Sequence, residues 1–233
     1  MQAWFEKVAK MFQAAFINGD RWKLYLQGLG VTLQIAFFAA ILGMIIGTVL
    51  AFMKLSVRRN GKKTILAVIA NIYIDIIRGT PSVLQLMIMW FIIFSSAKNG
   101  VLVAILSFGV NSGAYVAEIV RAGILAVDKG QMEAGRSLGL SKSQTMISVI
   151  IPQAVKNVLP PIGNEFIVLL KETAIVGYVS LTDLTRAANQ IASRTYEPFM
   201  PLIGAAVTYF VVIKILTILL EQFERRLRKS DNR

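Results

Sequence analysis

Two acid–base pairs, one charged triplet and one polar corner hold the side chains that could do chemistry in an otherwise apolar chain. Asp75 and Arg78, and Glu118 and Arg121, stand three residues apart, a spacing that puts each pair on one helix face and lets it close an ion pair. Lys171, Glu172 and Thr173 follow one another within a hydrophobic stretch, with Asn164 two turns earlier. A carboxylate in such a place could receive an ammonium or a cationic side chain, with the Thr173 hydroxyl beside it. Glu133, Ala134, Gly135, Arg136 and Gly139 form a polar, glycine-punctuated segment that ends at Pro152. The chain has no histidine and no cysteine, which excludes disulfides and thiolate metal sites and argues against haem, zinc hydrolysis and imidazole acid–base work. Neither a catalytic residue nor a metal site is expected. No Gly-x-x-x-x-Gly-Lys-[Ser/Thr] run is present to cradle a nucleotide, so the available chemistry is recognition and ion pairing.

The elements that must position these groups are membrane spans. The 233 residues are 55% hydrophobic with a mean hydropathy of +0.62, and Leu24–Met53, Gly79–Ala97, Asn99–Ala117 and Phe199–Ile213 carry no charge. These runs are near or above the ~20 residues needed to cross the hydrocarbon core. A more polar span fits between about Pro160 and Leu181, giving an all-α, polytopic protein of five transmembrane helices. If that span begins near Pro161, Glu172 lies ~16 Å inward, close to the midplane, and Asn164 and Glu165 stay near its edge. Thr64–Ala97 would make a continuous helix of ~50 Å against a ~30 Å core, so a bend is expected at Arg78-Gly79-Thr80-Pro81, where Pro81 lacks a donor and disfavours helix at Thr80.

The net charge of +12 sits in the loop Lys54–Lys63, the Glu133 region and the tail, which is the pattern of the positive-inside rule and not of a nucleic-acid binder. The carboxyl terminus is therefore expected in the cytoplasm and the amino terminus outside. Residues 1–23 carry Trp4, Phe5, Val8, Phe12 and Phe16 at helical spacing, as in an interfacial segment; 24–225 form the membrane domain and 226–233 a basic tail. No cleaved signal peptide is expected. Ser180–Pro198 reads as a solvated outer loop of mixed charge.

The polar corner has a specific local design. Residues 131–152 read as a short helix to Leu138, a left-handed stop at Gly139, and a second helix begun by the capping box Ser141-x-x-Gln144. A compact exposed knob of this kind suits docking into a partner.

The corner also resembles a known signature. Glu133-Ala134-Gly135, three residues, Gly139, nine residues, Val149-x-Ile151-Pro152 is similar to the EAA motif of ATP-binding-cassette importer permeases, with Gly135 in place of its third-position alanine. Arg78–Pro81, Gly113–Ile124, Gly130–Ala134, Ile151–Ala154, Leu159–Asn164 and Leu170–Thr173 resemble, in the same order, the polar amino acid subfamily. Glu172 stands where that subfamily often has aspartate, and Ala174 where serine is usual. The resemblance implies a type I importer transmembrane domain (MetI-like) in the bacterial plasma membrane. It implies a permease partnered by a second permease subunit, a cytoplasmic ATP-binding subunit pair that holds ATP and Mg, and an extracytoplasmic amino acid-binding protein. Glu133, Ala134, Gly135, Arg136, Gly139 and Pro152 would form the ATPase-coupling element. An ion-driven transporter would instead be expected to show an inverted repeat, and the sequence contains no second copy of either the corner or Arg78–Pro81.

Overall fold

Packing is organised by one close helix crossing. The computed structural model describes residues 1–56 and 64–231, and these form helices with no strand among them. In chain order the helices are α1 (Gln2–Phe12), α2 (Trp22–Leu55), α3 (Ile65–Arg78), α4 (Ser82–Ile88), α5 (Gly100–Leu125), α6 (Lys129–Ser137), α7 (Lys142–Thr145), α8 (Ile151–Glu172), α9 (Leu184–Thr195) and α10 (Phe199–Asp231). Lipid supplies no hydrophobic drive between helices, so small residues that let backbones approach are what join them. Gly43 and Gly47 of α2 do this against α5: a Cβ at Gly47 would lie 2.6 Å from that of Val116, and one at Gly43 2.9 Å from that of Ser112. The Gly-x-x-x-Gly pair is thus spent inside the subunit. α5 is the central helix, 67% buried over its apolar window, whereas α10 is only 6% buried.

α2, α5 and α10 are long and apolar enough to cross a membrane, and α3 with α4 and its extension to Ile93 makes a broken span bent by 103°. The bend falls at Gly79-Thr80-Pro81, as expected, and the Gln85 side chain donates to the carbonyls of Ile77 (2.7 Å) and Thr80 (3.1 Å) that the break leaves without helical donors. The Asp75–Arg78 pair does not form. Arg78 instead lies 5.3 Å from the centre of the Tyr115 ring on α5, while Asp75 is exposed; a tertiary cation–π contact has displaced the local pair.

α8 with the 3₁₀ turn Thr173–Val179 supplies the polar fifth span, and it begins at Ile151, earlier than expected. Pro160 and Pro161, which read as a helix start, are carried in its interior. The segment Ser180–Pro198 also departs from expectation, being largely the helix α9 and not a solvated loop. Asp183 caps it, accepting from the backbone N–H of Thr185 (2.9 Å) and Arg186 (3.0 Å). Leu184, Ala187, Ala188 and Ile191 are fully buried on one face, packed with Tyr25 of α2 and Ala205 of α10. At the amino terminus α1 has no buried residue, and Phe16, just beyond it, stacks on Tyr25 at 5.2 Å. Of the basic loop, Arg58, Arg59, Lys62 and Lys63 lie outside the described residues, as do the last two residues of the 226–233 tail.

Candidate functional site

The corner is built from local bonds that leave few alternatives. Asp128 caps α6 by accepting from Gly130 N–H at 2.6 Å. The helix closes in a Schellman motif: Leu140 N–H donates to Gly135 O and Gly139 N–H to Arg136 O, both at 3.1 Å, with Gly139 at φ +85°. Arg136 Nη1 adds a bond to Leu140 O at 2.9 Å. Ser141 and Gln144 then form the reciprocal capping box of α7. Two adjacent helix ends are thereby satisfied within about a dozen residues. Gly135 is buried on Thr145, whose side chain would collide with a Cβ there, so the glycine at the motif's third position matches a tight α6–α7 approach. Glu133, Ala134, Arg136, Gly139 and Pro152 face solvent, and Leu138 stands at the tip, 83% exposed.

This knob is rooted in the membrane helices. Val127 and Ile150 on either side of it pack with Val116, Val120 and Ile124 of α5 and with Ala154 and Val158 of α8. A displacement of the corner therefore moves the ends of α5 and α8 together. Beside that root, Glu118 accepts from Lys54 of α2 with one oxygen and from Arg121 with the other, the latter at 2.9 Å. The expected Glu118–Arg121 pair is present, widened by a lysine that sequence reading had assigned only to the basic loop.

A second group of polar side chains lies at mid-depth. Asn111 Nδ2 donates to Gln85 Oε1 at 2.9 Å, and on the other flank of α5 Ser112 donates to Glu165 of α8 at 2.9 Å. Ser112 is halfway along α5, so Glu165 sits near the centre of the span, and the early start of α8 carries Glu172 ~10 Å farther along it. Glu165 borders a cleft of about 220 Å³ whose other wall is Phe37, Ala40, Ile41 and Met44 of α2. Glu172 is half-buried at the end of α8 and makes no hydrogen bond or ion pair among the described residues. Thr173 is fully buried and its hydroxyl donates to Leu170 O at 2.8 Å, while Asn164 and Lys171 are exposed. Gln85, Asn111 and Ser112 were missed in the sequence, where the available signal was their polarity inside otherwise apolar spans; Glu165 was read only as a residue near the edge of its span.

No group of three or more metal-binding side chains occurs among the described residues. The chain belongs to the family described as binding-protein-dependent transport system inner membrane component, whose model matches residues 41–229. It is 42% identical to the arginine transport system permease protein ArtQ of Bacillus subtilis over 209 residues, which cover 88% of this chain and 93% of that protein. It is 38% identical to the putative glutamine transport system permease protein GlnP of Rickettsia typhi over 205 residues, covering 87% and 92%. A chain of an amino acid ABC transporter with histidines superposes with a TM-score of 0.81 at 45% identity, covering 88% of this chain and 94% of that one. A chain of the inward-facing MetNI methionine ABC transporter superposes with a TM-score of 0.78 at 19% identity, covering 91% and 99%, a likeness of fold. The multi-pass membrane fold expected from the sequence is therefore that of an ABC importer permease.

Proposed function

We propose that this chain carries a polar amino acid across a bacterial plasma membrane, as one of two permease subunits, driven by a separate pair of ATP-binding subunits that hold ATP and Mg. An extracytoplasmic amino acid-binding protein delivers the substrate. The amino terminus and the 1–23 segment lie on the outer face; the α6–α7 corner and the basic 226–233 tail face the cytoplasm. The observation that carries this reading is the corner itself, exposed at its tip yet bonded internally at both helix ends and rooted in α5 and α8. Closure of the ATPase pair pushes on Glu133, Ala134 and Arg136, and the rigid turn passes the motion to the two helices that flank the polar mid-depth groups. The names of the arginine and glutamine relatives support a polar amino acid as cargo.

Glu172, which makes no hydrogen bond or ion pair among the described residues, receives the cationic end of that substrate. Thr173 supports its backbone from a buried position, and Asn164 lines the approach from the exposed side of α8. Extraction of the tagged subunit from its native membrane should bring an ATPase polypeptide with it, and Glu133→Arg should lose that polypeptide while remaining folded. Absence of any ATPase from both forms would count against the importer reading.

A further inference from the structure

We infer that the polar face of α9 forms a carboxylate-binding groove that takes the α-carboxylate of the amino acid in transit, an inference that rests on the amino acid reading above. α9 is two-sided. Its apolar face is buried against α2 and α10, and its opposite face opens on a cavity of about 730 Å³ walled on the far side by the 3₁₀ turn Thr173–Val179. Thr185, Arg186, Asn189, Gln190, Ser193 and Arg194 line it from the helix, at the three- and four-residue spacing that keeps them on one face.

Every charge on that lining is positive. Arg186 is held in place from two directions, its backbone N–H by Asp183 (3.0 Å) and its Nη1 by Gly177 O (2.6 Å). Its Nε is buried and has no acceptor among the described residues. Neither Arg186 nor Arg194 has a carboxylate partner among the described residues. Asp183, the nearest acid in sequence, is occupied by the backbone of Thr185 and Arg186 and by the Tyr209 hydroxyl. A guanidinium that lines the groove, fixed at Nη1 and set beside amide and hydroxyl donors, is matched by the planar, two-oxygen geometry of a carboxylate. The groove wall begins at Ala174, two residues after Glu172. One short turn thus separates a group suited to a substrate's cation from groups suited to its anion.

The test uses the assembled transporter in lipid nanodiscs, titrated with L-arginine and L-glutamine and with their carboxamide derivatives, which keep the ammonium and lose the carboxylate. The native complex should bind at least one amino acid about ten-fold or more tightly than its amide, the scale of a hydrogen bond to a charged group. Arg186→Gln should weaken the amino acid by a similar factor and abolish discrimination against the amide. Arg194→Gln, on a side chain with no hydrogen bond or ion pair among the described residues, should reduce discrimination several-fold and serves where Arg186→Gln does not assemble. Native discrimination in both variants would overturn the inference while leaving the amino acid reading intact, provided Glu172→Gln still weakens binding. Binding of neither amino acid by the native complex would overturn both. Unchanged amino acid affinity in Arg186→Gln, combined with loss of the second permease subunit on size-exclusion chromatography, would assign the groove to an acidic side chain of a partner and overturn it as a substrate subsite.

Discussion

The α6–α7 corner and the α8–α9 flank are both rich in polar groups, and they treat hydrogen bonds in opposite ways. In the corner, α6 has its capped start, its Schellman stop and the neighbouring capping box all satisfied by residues a few positions away. On the flank, Glu172 has no hydrogen-bond partner among the described residues and Arg186 Nε has no acceptor. Satisfied local bonds hold a shape whatever touches it, as force transmission requires. Unmet bonds in a partly buried setting hold a position open for an incoming group, as recognition requires.

Breaking the corner should give the largest effect. Gly139→Val forces a β-branched residue into φ +85°, a cost of roughly 1–2 kcal/mol or more that reorients α7. Transport in proteoliposomes should fall at least about ten-fold while ATP hydrolysis by the complex continues; normal transport would separate the corner from coupling. On the flank, Glu172→Gln should raise the substrate KM about ten-fold with little change in maximal rate, as expected when one charge-assisted contact is lost. An unchanged KM would return Glu172 to helix packing.

Two smaller changes sharpen the contrast within the corner. Gly135→Ala restores the alanine of the related motif yet meets the Thr145 side chain, so it should destabilise the complex by about 1 kcal/mol. Thr145→Ala removes both the methyl and the hydroxyl that stand within 3 Å of that Cβ and should recover part of that loss in a double-mutant cycle read by thermal unfolding. Additive losses would show that the two helices do not touch as described. Ser141→Ala should cost the least, about 0.5–1 kcal/mol for a cap whose helix is also held by packing, with a slight fall in the ratio of substrate moved to ATP consumed.

The same contrast explains what could be read from residues alone. Gly139, Ser141 and Gln144 act over three or four positions, and motifs of that range are visible as strings. The bend at Arg78–Pro81 is legible for the same reason, since Pro81 acts on its immediate neighbours. Arg78 itself is not legible in this way, because its partner Tyr115 lies on another helix. The start of α8 was read too late because Pro160 and Pro161 carry a start signal that tertiary packing overrides. α9 was read as a loop although Leu184, Ala187, Ala188 and Ile191 recur at i, i+3, i+4 and i+7, because the mixed charge of Asp183, Arg186, Arg194 and Glu197 matches that of a solvated segment.

The close seam between α2 and α5 restricts which residues the chain can carry there. With Gly43 and Gly47 set directly against Ser112, Gly113 and Val116, a side chain at either glycine would have to push the two helices apart.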